Sequence, residues 1–345
     1  MYLKSVMPLC ALLSVTGVSF AQGLVTNVSK SGTAVATFLE IPIGARAVGM
    51  GAAYVSVADD ATSLYWNAAG AARFTHNEVA ALHCEWLAGT NLDFAAMVIS
   101  FGNLGNLGIS LTSLTMSDMA VRTIEQPDGT GEFFGASSLA TTVSYARMLT
   151  DRFAIGFSAK YIREEIWHES ATAVALDIGT VFRTDLFSGM VIGASISNFG
   201  TRMQLSGRDT RRFGRIDETK LGANERIPFN VELNSWNLPL LFQFGLSTDL
   251  VRNERSRLTI AVDALHPSDD YESINIGSEY ALADFAFLRA GYQSLFLDNV
   301  EGGLSFGFGV KSKMLLSEGT IKADYAFREM GRLENIHMFS LAVVF

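Results

Sequence analysis

Between residue 79 and the end of the chain, strand-length runs recur in several of which apolar side chains take alternate positions, while the positions between them carry Gly, Ser, Thr, Asn or a charge. A period of two is the strand period, because successive side chains of an extended backbone point to opposite faces. The runs last roughly nine to eleven residues, the length that a tilted strand needs to cross a bilayer. Fourteen strands are predicted, beginning near Val79, Leu92, Asn106, Leu139, Phe153, Ala171, Met190, Leu240, Leu258, Ser273, Ala286, Gly302, Gly319 and Ile336. Leu240, Phe242, Phe244, Leu246 and Leu250 share one face against Gln243, Gly245, Ser247 and Asp249 on the other. Phe153, Ile155, Phe157 and Tyr161 likewise oppose Gly156, Ser158 and Lys160, and Leu304, Phe306, Phe308 and Val310 oppose Gly303, Ser305, Gly307 and Gly309. The first set of each can meet lipid while the second lines an interior.

The charges agree with this division. Lys160, Asp177, Asp249, Asp263, Glu279, Arg289, Lys322 and Asp324 all take the small or polar face, where they avoid the roughly 2–4 kcal/mol that a basic residue costs at the lipid midplane. Such interior charges have two readings: they line a water or ligand path, or they pair with one another and with whatever fills the lumen. Arg147 shares the apolar phase of Val143 and Tyr145, but at a strand end from which it can snorkel. Connections after the even-numbered strands are short, whereas those after the third and seventh, about 116–138 and 199–239, are long. Outer-membrane barrels have short periplasmic turns and longer outside loops, which puts the start of the first strand on the periplasmic side. Pro127, Pro228, Pro239 and Pro267 fall in loops or at strand edges, where a missing N–H breaks no ladder. The last strand aligns His337, Phe339, Leu341, Val343 and Phe345 on one face, and a C-terminal aromatic of this kind resembles a barrel insertion signal.

The first eighty residues follow other rules. Lys4, an apolar stretch over 6–18 and Ser19-Phe20-Ala21 predict a secretory signal peptide over 1–21, with the mature chain starting at Gln22. Residues 22–78 do not alternate. Small-residue-rich stretches over 45–53 and 60–72 predict short helices or turns around a tight Gly49-Met50-Gly51 bend, with Asp59 or Asp60 as a cap. A compact segment of this kind ahead of a barrel, which then occupies 79–345, most simply sits inside it as a hatch.

Composition narrows the class. The chain of 345 residues is 49% hydrophobic and 18% charged, with a mean hydropathy of +0.24. Beyond the leader no run of eighteen apolar residues exists, which excludes a helical transporter. A net charge of −9 argues against nucleic acid, since neutralising phosphates takes clustered Lys and Arg. Cys10 lies in the leader and Cys84 is the other cysteine, so no intramolecular disulfide is expected. Gly303-Leu304-Ser305-Phe306-Gly307 matches G-x-S-x-G but lies within a strand rather than at a strand-to-helix elbow. His76, His83, His168, His266 and His337 are scattered, Asp59-Asp60 and Asp269-Asp270 read as a cap and a solvated loop, and no phosphate-cradling loop is present. No catalytic residue, metal site or cofactor is expected. In the second long loop, Arg208, Arg211, Arg212, Arg215 and Lys220 alternate with Asp209, Asp217 and Glu218 as on a solvated surface. Phe229, Trp236, Leu238 and Pro239 are the candidate partner-binding residues, because exposed aromatics are costly without a partner or a membrane interface.

The stretch 44–70, GARAVGMGAAYVSVADDATSLYWNAAG, resembles the PorV/PorQ family, which is related to the FadL-type fatty-acid channels. Val262-Asp263-Ala264-Leu265-His266-Pro267, Arg289-Ala290-Gly291-Tyr292 and Asp324-Tyr325-Ala326-Phe327 resemble its later landmarks, so the similarity spans most of the mature chain. It departs from the usual Asn-Pro-Ala of the hatch at Asn67-Ala68-Ala69. The resemblance implies an all-β, FadL-like transmembrane antiparallel β-barrel of about fourteen strands in the outer membrane of a Gram-negative bacterium. Arg46, Gly49, Gly51, Asp59, Asp60, Tyr65, Trp66 and Asn67 would be its hatch motif. The role it implies is non-enzymatic: type IX protein secretion, with secreted proteins carrying C-terminal sorting domains and the attachment machinery as partners, beside outer-membrane lipid. The alternative is a FadL-like channel for a hydrophobic small molecule, and a third reading is a structural barrel that transports nothing.

Overall fold

The computed structural model describes residues 30–187, 189–215, 219, 226–297, 302–314 and 319–345. The expected signal peptide, the first residues of the expected hatch, and Asp217, Glu218 and Lys220 lie outside them. The strands are β1 (Glu78–Trp86), β2 (Thr90–Ser100), β3 (Asn106–Met116), β4 (Ala136–Thr150), β5 (Phe153–Ile166), β6 (Glu169–Arg183), β7 (Val191–Gly200), β8 (Leu241–Arg252), β9 (Ser256–Pro267), β10 (Ser273–Leu282), β11 (Ala286–Leu295), β12 (Leu304–Lys313), β13 (Thr320–Arg328) and β14 (Ile336–Val344). Every strand pairs antiparallel with its neighbours in sequence. The sheet closes where β14 lies along β1, with Glu78 opposite Val344 and Cys84 opposite Met338. The result is a closed fourteen-stranded antiparallel β-barrel, in which no long sheet edge is left unpaired.

Each predicted start lies within three residues of the observed one, but the expected lengths need correction. β4, β5 and β6 run for 15, 14 and 15 residues. The periodicity of the burial confirms the two faces: outward Phe157, Phe306 and Phe339 are 47%, 49% and 59% exposed, while the positions between them, such as Ser158, Ser305 and Met338, are buried. A continuous apolar belt of this size has no counterpart on a water-soluble surface and is what lipid requires. All eight charges assigned to the inner face point inward, and Arg147 is exposed near the end of β4.

Long and short connections alternate as expected. Residues 117–135 and the described residues of the 201–240 connection lie at one end, the long-loop end, and turns such as 151–152, 253–255 and 283–285 lie at the other, the short-turn end. The first carries a two-residue pairing of Met119–Ala120 with Phe133–Phe134, the second a small hairpin of Arg211–Gly214 with Ile227–Asn230.

The segment that precedes β1 fills the lumen. It enters at the long-loop end, where Ala34 bridges Asn237, turns through a 3-10 stretch (Thr37–Glu40) and α1 (Ala45–Gly49), then α2 (Ser63–Trp66) and a second 3-10 stretch (Ala68–Arg73). It leaves at the short-turn end into β1. Ile43, Ala45, Ala47, Met50, Ala53, Tyr54 and Val55 have essentially no exposure, so this segment is the core of the molecule and the barrel is its shell.

Candidate functional site: the hatch and its two mouths

Short polar side chains on the inner wall catch the hatch backbone from several strands. The Oγ of Ser340 (β14) accepts from Ala45 N at 2.8 Å and that of Ser305 (β12) from Gly51 N at 3.0 Å. Asp263 Oδ2 (β9) accepts from Tyr54 N and Val55 N at 2.6 and 2.8 Å. Glu78 Oε1 (β1) accepts from Ala61 N at 3.0 Å, and Asn106 Nδ2 (β3) donates to Ala71 O and Phe74 O at 2.6 and 3.0 Å. Buried peptide groups that leave water need such partners, so these contacts satisfy a segment with little regular structure and fix it in one register. The G-x-S-x-G match is therefore an anchor: Ser305 holds Gly51, and a Cβ on Gly49 would stand 2.9 Å from the Cα of Gly307.

The hatch motif divides by role. Gly51 has φ +62, and a side chain there would meet Tyr292 N at 2.5 Å, so both backbone conformation and close approach require glycine. Arg46 of α1 makes a two-pronged contact with Glu279 of β10, Nε to Oε2 at 2.8 Å and Nη2 to Oε1 at 3.1 Å, and also bonds Asp59. Glu279 in turn holds Arg257 at 3.1 Å and Arg289 at 2.8 Å, and Arg289 reaches Asp324 at 2.6 Å. A second pair, Lys322 and Glu78, closes at 2.8 Å. Burial opposes ionisation of Asp59, but Arg46 and Arg73 prevail and hold its carboxyl well below the usual range. Asp60 is the turn-forming carboxylate: Oδ1 accepts from Thr62 N at 3.0 Å and Oδ2 from the Tyr54 hydroxyl. Asp59 therefore does not cap the second helix, being committed to Arg46.

Tyr65 and Trp66 clamp the start of the hatch to its end. The Tyr65 hydroxyl lies 2.9 and 2.8 Å from the carbonyls of Leu39 and Ile41, and Trp66 Nε1 donates to Ile43 O at 2.8 Å. The Asn67 side chain accepts from Ala69 N at 3.1 Å and donates to Val55 O and Thr180 O. It thereby caps the stretch Ala68–Arg73. Ala68 stands at the first position after that cap, a position that also tolerates proline.

The lumen differs between its ends. At the long-loop end Ala36, Phe38 and Leu39 of the hatch pack on Ala140, Ile162, Ala171, Ala173, Ala175, Met203 and Leu238, an apolar wall. Beside it the buried ion pair Lys160–Asp177 (2.8 Å) supports a strand irregularity: Asp177 Oδ1 accepts from Asn198 N, and Asn198 has a positive φ of 65. At the short-turn end, cavities of about 270, 640 and 500 Å3 open between hatch and wall, and Arg73 and Arg183 line all three.

The loop candidates separate. Phe229 and Trp236 are exposed, together with Phe213, which sequence reasoning passed over; Leu238 and Pro239 are buried, Leu238 against the hatch. They are part of the protein's own core, and the exposed surface narrows to the other aromatics. Asp269 is also a correction: rather than lying in a solvated loop, it is buried beside Glu40 of the hatch. Ser305, Ser340, Asn106 and Asp263 as anchors, and the Arg73–Arg183 mouth, were not singled out from sequence for these roles, because each is an ordinary inner-face residue until the register is known.

Fold and hatch together define a FadL-like plugged barrel. A Pseudomonas aeruginosa FadL homologue matches with TM-score 0.53 at 12% identity, over 88% of this chain and 98% of its own. The Pseudomonas putida toluene transporter TodX matches with TM-score 0.54 at 13% identity, over 88% and 97%, and the Ralstonia pickettii toluene transporter TbuX with 0.53 at 11%, over 88% and 97%. At these identities the likeness is one of fold. A profile described as an uncharacterised protein family (UPF0164) matches residues 14–156, the hatch and the first strands. No curated protein matches the chain.

Proposed function

We propose that the protein is an outer-membrane channel for hydrophobic small molecules, with the start of the hatch as its gate. The observation that carries this reading is the apolar inner wall at the long-loop end, which Phe38 and Leu39 occupy as a ligand would. A water-filled pore would present polar side chains there. Beyond its own turns, this stretch is held by Val35 N donating to Asn237 O at 3.0 Å and by the Tyr65 hydroxyl at the carbonyls of Leu39 and Ile41, bonds that an opening would have to break. Withdrawal of residues 34–41 would expose an apolar path while Arg46 and its partners keep the rest of the hatch seated. The fold neighbours TodX and TbuX are toluene transporters, which agrees with this reading. The test is uptake of radiolabelled toluene by a host that lacks its own FadL-type barrel. Expression should raise uptake, and oxidation of a paired Ala34→Cys/Asn237→Cys variant should abolish the gain, with reduction restoring it. Uptake equal to the vector control rejects the channel.

A second reading, type IX secretion, is favoured by the exposed Phe213, Phe229 and Trp236 on the long loop. Recovery of proteins with C-terminal sorting domains on the purified barrel, lost when 201–238 is replaced by a short linker, would support it.

A further inference from the structure

The cavity of about 270 Å3 at the short-turn end is lined by Arg46, Arg73, Arg183, Arg252 and Arg257, against Asp59 and Asp249. Five cations to two anions is a local reversal of sign in a chain of net charge −9. Two of the arginines are offset from behind, since Glu279 bonds both Arg46 and Arg257. Arg252 makes only a long contact with Asp249, at 3.5 Å. Arg73 donates to the carbonyl of Ala58 at 2.9 Å, and neither it nor Arg183 has a carboxylate within ion-pair distance among the described residues. Three residues that line this cavity each carry a buried side-chain donor with no hydrogen-bond partner: Arg73 through Nε, Arg257 through Nε and Ser56, itself 1% exposed, through Oγ. Unpartnered buried donors are rare because each forfeits its hydration, and three around one space call for an acceptor in it. Burial, with the positive charges of Arg183 and Arg46 adding to it against the pull of Asp59, lowers the Arg73 pKa, the response of a cation short of anions.

We propose that this mouth is a binding site for a compact oxyanion, a phosphate or carboxylate group held between Arg73 and Arg183 and completed by Arg257 and Ser56. Planar guanidinium forks suit that chemistry, each presenting paired N–H groups to two oxygens. The same two arginines border the cavity of about 640 Å3, whose wall includes Phe74, Met148, Ala154 and Val181. The anion can therefore be a free ion or the head of an amphiphile whose chain lies in that apolar space. The site is independent of what passes the long-loop end.

Inorganic phosphate and decyl phosphate are the probes, added to the full-length barrel in neutral detergent, with binding read as the shift of the thermal unfolding midpoint. Phosphate should raise the midpoint saturably beyond sodium chloride of equal ionic strength. Arg183→Gln should weaken binding about tenfold or more, the loss of one charged hydrogen-bonding partner. Ser56→Ala removes a buried Oγ that bonds nothing in the protein, so it should not lower the unliganded midpoint and should weaken phosphate about threefold. Decyl phosphate binding far more tightly than phosphate supports the site and assigns it to an amphiphile head; equal affinities support it and assign a free anion. A shift that sodium chloride reproduces, or one that both variants retain in full, overturns the proposal.

Discussion

The hatch is held by different means at the two ends of the lumen. At the long-loop end Phe38 and Leu39 rest on alanines, Ile162 and Met203, contacts without direction that another apolar group can replace. Toward the short-turn end Arg46, Glu279, Arg289 and Asp324 form a directed chain in which every member needs its partner. Buried ion pairs add little net stability over apolar packing, but breaking one strands a charge. The apolar contacts are the part of the plug that can yield, and in the proposed channel they exchange hatch for ligand, while the ionic end fixes the register of the rest.

Breaking the ionic end should have the largest effect. Arg46→Leu leaves Glu279 and Asp59 short of their shared cation and is expected to cost about 4 kcal/mol, read from the urea midpoint of the detergent-solubilised protein; a loss under 1 kcal/mol would remove the contrast between the ends. At the apolar end Phe38→Ala should cost about 3 kcal/mol by leaving a cavity. Unlike the first variant, it should increase binding of an apolar fluorescent probe. Asp263→Leu removes the single oxygen, Oδ2, that accepts from both Tyr54 N and Val55 N, and should cost about 2 kcal/mol, with protease cutting near Tyr54 as a second readout.

The smallest effect sharpens the comparison through pH. Burial first, then the negative charges of Asp269 and Asp270, raise the Glu40 pKa from 4.5 to about 7. A folded-state value above the unfolded one means that the favourable contribution is complete below about pH 4.5 and is lost as pH rises through about 7. Glu40→Gln should therefore match the parent at pH 4.5 and exceed it at pH 8 by on the order of 1 kcal/mol once partial exposure is allowed for. A variant equally stable at both pH values relative to the parent would show that the long-loop end does not sense this carboxyl.

The barrel was legible because lipid imposes a strict rule on every second residue, and the fourteen starts follow from it. The extra length of β4 to β6 was not, because beyond the lipid belt the outward positions turn polar, as at Arg163 and Glu165, while the hydrogen-bonded ladder continues to Ile166. The hatch was legible as a compact segment, and its Gly51 bend and Asp60 turn follow from local chemistry. Its seating was not. Ser305 and Gly51 are 254 residues apart, and Ala45 and Ser340 are separated by 295, so their pairing depends on barrel closure. Leu238 and Pro239 misled because a loop apolar residue reads the same whether it faces a partner or, as here, the hatch.

The most direct test of the central claim, a hatch bonded to the barrel wall by its own backbone, is hydrogen exchange at the amides of Ala45, Gly51, Tyr54, Val55 and Ala61. Those amides should be as protected as the amides of β9 and β12, and should lose protection together in Arg46→Leu while the strands stay protected. Exchange of those five amides as fast as that of the 201–240 loop, in a barrel whose strands remain protected, would contradict it.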